Sequence, residues 1–310
     1  MLKIYIHPLA VLCTQEVMFK EFFNYVPMTM ERVLENFQIV EKQEDADFNF
    51  IGQITDYVPY NKEVLEFAKN NSKNTIVDID GDYFENNIPS EIKDCICIAG
   101  GPSSMWGLTR CMPRLQMSKT LKFINEKYDR IKVLDFKDKK REFFFQGQIT
   151  TTHRALMHQV VANSGYPFVI NSTNNGWGGM LSEESYFCSS YLEGMNNHLF
   201  SLSPRGFGGS TIRFIEACFF GNVPIVLGKD IFMGQGTADL SFVIKVEDYT
   251  NPYAIRAALD YVLTLSEEQL YQISLKSKAY YNEVVQKYFD NPTLDFINWL
   301  NRNILKKASI

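Results

Sequence analysis

The chain has few of the residues that build metal centres or covalent frameworks. Of its four histidines, His153, His158 and His198 show no ligand spacing with a cysteine or a second acid, so a zinc site is not expected. Six cysteines are scattered at 13, 95, 97, 111, 188 and 218 without a Cys-x-x-Cys pair. They read as reduced, buried thiols rather than a disulfide frame. No apolar run reaches the roughly 18 residues of a membrane span. No Gly-x-Ser-x-Gly elbow and no Walker A lysine is present, which argues against hydrolase and ATPase chemistry. A net charge of −5 without a basic stripe argues against nucleic acid. The densest basic run, Lys137 to Arg141, reads as an exposed linker. Repeats and low-complexity segments are absent. Met1 to Ile6 leads directly into His7-Pro8 with no leader pattern, so a cytoplasmic protein is expected and the sequons at Asn70 and Asn171 are incidental.

What is there suits one large or two medium α/β domains: 310 residues, 45% hydrophobic, with 24 Phe and 16 Tyr. Apolar strands are expected at Lys3–Ile6, Phe48–Ile51, Thr75–Ile79, Cys95–Ile98, Phe143–Phe145, Phe168–Ile170, Leu199–Leu202, Val223–Leu227 and Phe242–Ile244. Helical patterns lie over 15–25, 28–36, 61–70, 185–197, 266–288 and 293–305, with Thr151/Thr152 capping a helix that carries Arg154. Asn171 to Met180 is a polar, Gly-rich loop in which Trp177 could stack on a sugar or anchor a lid. Strands alternating with helices predict mostly parallel sheets covered on both faces.

The most informative run is Leu199 to Asp230, a strand–loop–helix–strand unit. Its loop, Ser203 to Ser210, carries Pro204, Arg205 and three glycines. Ser210 or Thr211 caps the next helix, and Gly221-Asn222 stops it. A Gly-rich loop entering a helix N-terminus offers backbone N–H groups and a positive dipole end to phosphate. Arg205 and Arg213 can clamp a diphosphate, and Glu216, three residues beyond Arg213, can accept from ribose hydroxyls. The same spacing also fits an ordinary βαβ turn with a solvated Arg–Glu pair.

The ordered residues Ser203, Pro204, Arg205, Gly206, Ser210, Arg213, Glu216, Ala217, Gly221, Pro224 and Val226 resemble the nucleotide-sugar motif of the exostosin-like glycosyltransferases (the GT47-like group). The stretch from Arg141, REFFFQGQITTTHRALMHQVV, resembles more weakly the strand and Arg-bearing helix that open the same domain. The resemblance implies a GT-B-like α/β fold: two doubly wound Rossmann-type lobes with a C-terminal helix packing back on the N-terminal lobe. The lobes then span 1–138 (acceptor) and 139–288 (donor), with the returning helix at 289–310. It implies an inverting, metal-independent transfer of a hexosyl or pentosyl group, with no cofactor, from a UDP- or GDP-linked sugar to a glycan hydroxyl. Arg154, Arg205 and Arg213 would meet the diphosphate, with Gly208, Gly209, Ser210 and Thr211 completing the cradle and Glu216 on the ribose. The partners implied are a nucleotide-sugar donor and a glycan acceptor, with no nucleic acid and at most peripheral membrane contact.

An inverting transfer needs a base on the N-terminal side of the cleft. Asp80 ranks first, at the end of a strand, then Asp82 and His7, although Asp-Gly is also a common turn pair. Asp78 falls inside the strand and reads as a core carboxylate. The run Asp78-x-Asp80-x-Asp82 supports a rival as well, the Asp-x-Asp metal site of GT-A transferases. It resembles haloacid-dehalogenase-type phosphatases only superficially, because their motif opens the domain and continues with Thr or Val. A non-catalytic sugar-nucleotide or glycan-binding protein of the same fold is the alternative from another class.

Overall fold

Strands that pair in parallel are covered on both faces, so they read as near-continuous apolar runs. β9 (His198–Pro204) and β10 (Val223–Leu227) are buried at every position. The computed structural model describes residues 1–11, 36–55, 61–80, 88–99, 108–113, 132–149, 151–172, 189–205, 212–229, 231, 233, 239–285 and 292–305. These residues form two sheets in which every recorded strand pair is parallel.

The first sheet has the order β2-β1-β3-β4-β5-β6. Its strands are β1 (Leu2–Val11), β2 (Phe37–Val40), β3 (Phe48–Thr55), β4 (Thr75–Asp80), β5 (Ile96–Ala99) and β6 (Arg110–Pro113). The edge strands β2 and β6 were not expected. They are four residues each and too short for a periodic signal. β1 runs past its expected end because a register break between Ile6 and Val11 accommodates Pro8, which has no N–H to donate. Helix α1 (Lys62–Asn70) is capped by Asn61, whose side chain accepts from Glu63 N at 2.9 Å. It buries Val64 and Ala68 against Ile51, Val77, Ile79 and Cys97. The helices expected over 15–25 and 28–36 lie almost wholly outside the described residues.

The second sheet has the order β11-β10-β9-β7-β8, with β7 at Lys140–Gly147, β8 at Phe168–Ser172 and β11 at Ile244–Val246. Helices α2 (Thr152–Ala162) and α5 (Pro252–Thr264) pack Met157, Val161, Ile255 and Leu259 on one face. On the other face, α3 (Ser189–Asn197), α4 (Ile212–Phe220) and α6 (Glu267–Tyr280) meet Phe144 and Val226. β11 starts two residues later than expected. Phe242 belongs to the preceding turn, and its ring packs between Phe214 and Tyr280 at centroid distances of 6.3 and 5.6 Å. After α6 the chain returns to the first lobe. There α7 (Pro292–Leu300) buries Phe296 and Leu300 against Ile4, Phe37, Phe48 and Phe50. Two parallel α/β lobes with a terminal helix packed back on the first are the GT-B-like fold class expected above.

The run Lys137 to Arg141 is not all exposed linker. Lys139 is only 7% exposed. Its Nζ donates to Phe220 O at 2.8 Å and Asn222 Oδ1 at 2.7 Å, at the C-terminal end of α4. Gly221, at φ 65°, ends that helix in the left-handed conformation that favours glycine, and Ser274 Oγ donates to its carbonyl at 2.6 Å. Asn222 in turn donates to Met195 O and Ser201 Oγ at 2.7 and 2.8 Å. With neutral acceptors only among the described residues, burial pushes the Lys139 amine down to about 7, and the Lys278 charge adds to the effect. Between that value and the ordinary 10.5, the unfolded lysine holds a proton that the folded one has released. Stability therefore rises with pH across this window, by up to about 1.4 kcal/mol per pH unit from this group. Urea unfolding of wild type and Lys139→Met from about pH 6 to about pH 9 is expected to show the wild type gaining on the variant as pH rises. A pH-independent difference would mean that Lys139 stays protonated in the fold.

Candidate functional site

In the second sheet the chain order reverses between β7 and β9. The first crossover carries the chain outward to β8, and the next returns it to the other side of β7. Connections leaving in opposite directions open a crevice beyond the carboxyl ends of the two strands, where ligands of open parallel sheets bind. Gly147 ends β7 at this point, Arg205 follows β9, and the first turns of α2 and α4 flank them.

The main chain of Arg205 is tied down from three directions. Its N–H donates to Leu227 O at 2.9 Å. Its carbonyl accepts from His153 Nε2 at 2.9 Å and from Arg154 Nε at 3.2 Å. Arg154, 9% exposed, also donates through Nη1 to Gln148 O at 2.9 Å, so the first turn of α2 fastens the ends of β7 and β9 together. Burial lowers the His153 pKa. The bond to Arg205 O opposes that shift, and the charges of Arg154 and Arg205 add to it. The ring is therefore neutral at pH 7 and donates its Nε2–H. Among the described residues the Arg205 guanidinium meets the Tyr249 hydroxyl, at 3.5 Å, and the His153 ring stands edge-on to Tyr249 at 5.1 Å.

Arg213, in the first turn of α4, reaches across the reversal to β7. Nε and Nη2 donate to Gln146 O at 3.3 and 3.0 Å, and the guanidinium lies over the Phe145 ring at 5.0 Å. It fits there because Gly147 has no side chain; a Cβ would occupy the position of Nη2. Neither Arg205 nor Arg213 has a carboxylate partner among the described residues. Glu216, one turn further along α4, is 2% exposed and accepts a hydrogen bond from the Tyr191 hydroxyl. The hydroxyls of Thr151 and Ser203, beside the same strand ends, are shielded and make no hydrogen bond among the described residues. Buried unsatisfied groups cost about 1–3 kcal/mol each and mark places where a ligand can supply the missing partner.

The structure thus brings Arg154, Arg205, Arg213 and Glu216 to one end of one sheet, with different standing. Arg154 donates to the carbonyls of Arg205 and Gln148, whereas the Arg205 guanidinium reaches the Tyr249 hydroxyl among the described residues. Gly208, Gly209, Ser210 and Thr211 lie outside the described residues, and so does Asp82. Thr151 occupies the N-cap of α2 without a capping bond from its side chain.

In the first lobe Asp80 is the last residue of β4, level with Thr55 of β3. Asp78 is buried within the strand at 3% exposure. His7 corrects its expected place, since it lies inside β1 rather than after it. Its ring packs on Phe67 at 4.6 Å, and Nδ1 accepts from Leu9 N at 3.2 Å. Three residues at the site carried no sequence assignment. Gly147 had a readable cue, a glycine closing an apolar strand, but Tyr191 and Tyr249 had none because tertiary packing alone delivers them.

No family model and no curated protein matches this sequence. Among solved structures the chain is similar to the trehalose-6-phosphate synthase OtsA, with a TM-score of 0.45 and 11% identity over 88% of this chain and 75% of that one. It is also similar to an E. coli trehalose-6-phosphate structure bound with UDP-2-fluoro glucose, with a TM-score of 0.42 and 10% identity over 88% and 76%. A third is S. aureus TarM in complex with fondaparinux, alpha-GlcNAc-glycerol and UDP, with a TM-score of 0.41 and 10% identity over 76% and 57%. Likeness at this level places the chain in no family.

Gly147→Ala sets a methyl group against the end of a flexible arginine, so the guanidinium should swing aside and lose its bonds to Gln146 O. A stability loss on the order of 1 kcal/mol is expected in the wild-type background and little in Arg213→Ala. Urea unfolding of the four proteins measures this coupling. An equal loss in both backgrounds would assign the glycine a purely backbone role.

Proposed function

We propose that the chain is a glycosyltransferase that binds the diphosphate of a UDP- or GDP-linked sugar at the β7/β9 crevice of the second lobe. The observation that carries this reading is a pair of arginines, Arg205 and Arg213, without carboxylate partners among the described residues, placed at the strand reversal beside two helix N-termini. Guanidinium groups and helix N-termini both favour a diphosphate, and the crevice at a strand reversal is where nucleotides bind in such sheets. Arg154 and His153 act one step back, holding the Arg205 carbonyl from which the Gly-rich segment departs. Membership of the exostosin-like group rests on the ordered residues from Ser203 to Val226.

The transfer inverts the anomeric carbon. An acceptor hydroxyl of a glycan, bound by the first lobe, attacks C1 as the bond from C1 to the diphosphate oxygen breaks. Asp80 takes the acceptor proton, with Asp82 beside it in sequence, and the nucleoside diphosphate leaves against Arg205 and Arg213. Fixed positive charge at the leaving group does the work a metal ion would otherwise do. Among the described residues no helix is long and apolar enough to cross a membrane, and the reading places the enzyme in the cytoplasm.

Thermal-shift and calorimetric titration with UDP, GDP and their sugars, with and without EDTA, tests this assignment. Stabilisation that survives EDTA is expected. Arg205→Ala should weaken the nucleoside diphosphate about tenfold or more, leaving the unliganded melting temperature almost unchanged. Stabilisation abolished by EDTA would move the donor site toward Asp78 and Asp80. If no nucleoside diphosphate stabilises the wild type, the glycosyltransferase reading falls.

A further inference from the structure

Arg205 is stitched through backbone bonds to two further strand ends of the second sheet. Its N–H donates to Leu227 O of β10 at 2.9 Å, and Gly228 N donates to Val246 O of β11 at 3.0 Å. Gly228 also makes room for its neighbours. A Cβ there would stand 2.4 Å from Ile231 Cδ1 and 3.2 Å from Arg205 Cβ. The Arg205 side chain thus starts against bare backbone at the end of β10, and its tip reaches Tyr249, in the turn after β11.

That turn is closed by its own side chains. Asn251 N donates to Asp248 O at 3.2 Å, and the Asp248 carboxylate accepts from Thr250 Oγ1 and Asn251 Nδ2, each at 3.1 Å. Asn251 then caps α5, accepting from Tyr253 N at 3.0 Å, with Pro252 opening the helix. Tyr249 is half-buried, its ring packed against the core that α2 and α5 cover and edge-on to His153. The hydroxyl is delivered by a rigid support, as a precise site requires.

A guanidinium carries donors and no acceptor, so in the contact from Arg205 Nη1, at 3.5 Å, the phenol oxygen accepts. The phenol proton must then point elsewhere, and it meets no acceptor among the described residues. The charge that donates to the oxygen polarises the O–H bond and makes it a stronger donor. A contact of this length is long for a hydrogen bond and leaves both groups room to close on a shared anion.

We propose that Tyr249 is a second donor of the anion site: its hydroxyl binds a non-bridging phosphate oxygen of the sugar nucleotide alongside the Arg205 guanidinium. This rests on the nucleotide-sugar reading and adds to it a residue from a third strand end. The site then extends from the β7/β9 reversal to the turn after β11. Tyr249→Phe keeps the ring against the core and His153 and removes the hydroxyl alone.

Calorimetric titration of wild type, Tyr249→Phe, Arg205→Ala and the double variant with UDP and GDP tests the proposal. Tyr249→Phe is expected to melt like the wild type and to bind the nucleoside diphosphate about tenfold more weakly. Most of that loss should vanish in the Arg205→Ala background, where the hydroxyl lacks the charge that polarises it. A merely structural Tyr249 would leave the affinity of Tyr249→Phe at the wild-type value, and that result overturns the proposal. The nucleotide-sugar reading stands in that case if Arg205→Ala still weakens the ligand. A loss of equal size in both backgrounds would set the hydroxyl apart from the arginine and overturns the proposal too. A wild type that binds neither UDP nor GDP overturns both readings.

Discussion

Parallel pairing is the constraint on which the rest of this structure depends. A parallel strand cannot be joined to its neighbour by a tight hairpin, so each connection must cross a sheet face. Both faces are then covered: in the second lobe α2 and α5 lie on one side and α3, α4 and α6 on the other. The carboxyl ends of the strands are left as the place where loops gather. Because the sheet starts near its middle, at β7, and grows first one way and then the other, two of those ends have nothing crossing between them. The candidate site follows from strand order before any side chain is considered.

The two ends of this sheet treat positive charge in opposite ways. At the amino end, Lys139 sits among neutral acceptors, Phe220 O and Asn222 Oδ1, and burial pushes its amine down to about 7. That amine links the ends of α4 and β7 as a hydrogen-bond donor. At the carboxyl end, Arg205 and Arg213 remain charged because a guanidinium does not surrender its proton. Their neighbours are carbonyls, a tyrosine hydroxyl and an aromatic face. Cations with no carboxylate partner among the described residues, beside helix N-termini, make a preformed environment for an anion.

Much of the framework was legible because a buried parallel strand is a short apolar run and needs no periodicity. Phe143-Phe144-Phe145 and Val223 to Leu227 are cases where composition and burial agree. Helix ends were legible where side-chain chemistry marks them, as in the reciprocal bonds of Ser266 and Gln269 that open α6. β2 and β6 were not legible, because a four-residue edge strand owes its state to the neighbour it pairs with. His7 was read as following a strand that ends at Ile6, whereas the strand continues to Val11 past a register break.

By itself, the amino-acid sequence determined the alternation of strands and helices and marked Arg205, Arg213 and Glu216 as a group. Those are local properties, set by residues within a few turns of one another. Only the tertiary structure decided what each group does. Arg154 and Arg205 are 51 residues apart and Tyr191 and Glu216 are 25 apart, so no local pattern announces either contact. Arg154 became a tie between strand ends, Lys139 a buried amine and His7 an acceptor for the Leu9 N–H. Each role comes from what the fold places within hydrogen-bond reach, and that depends on the order in which β7, β8 and β9 take their places in the sheet.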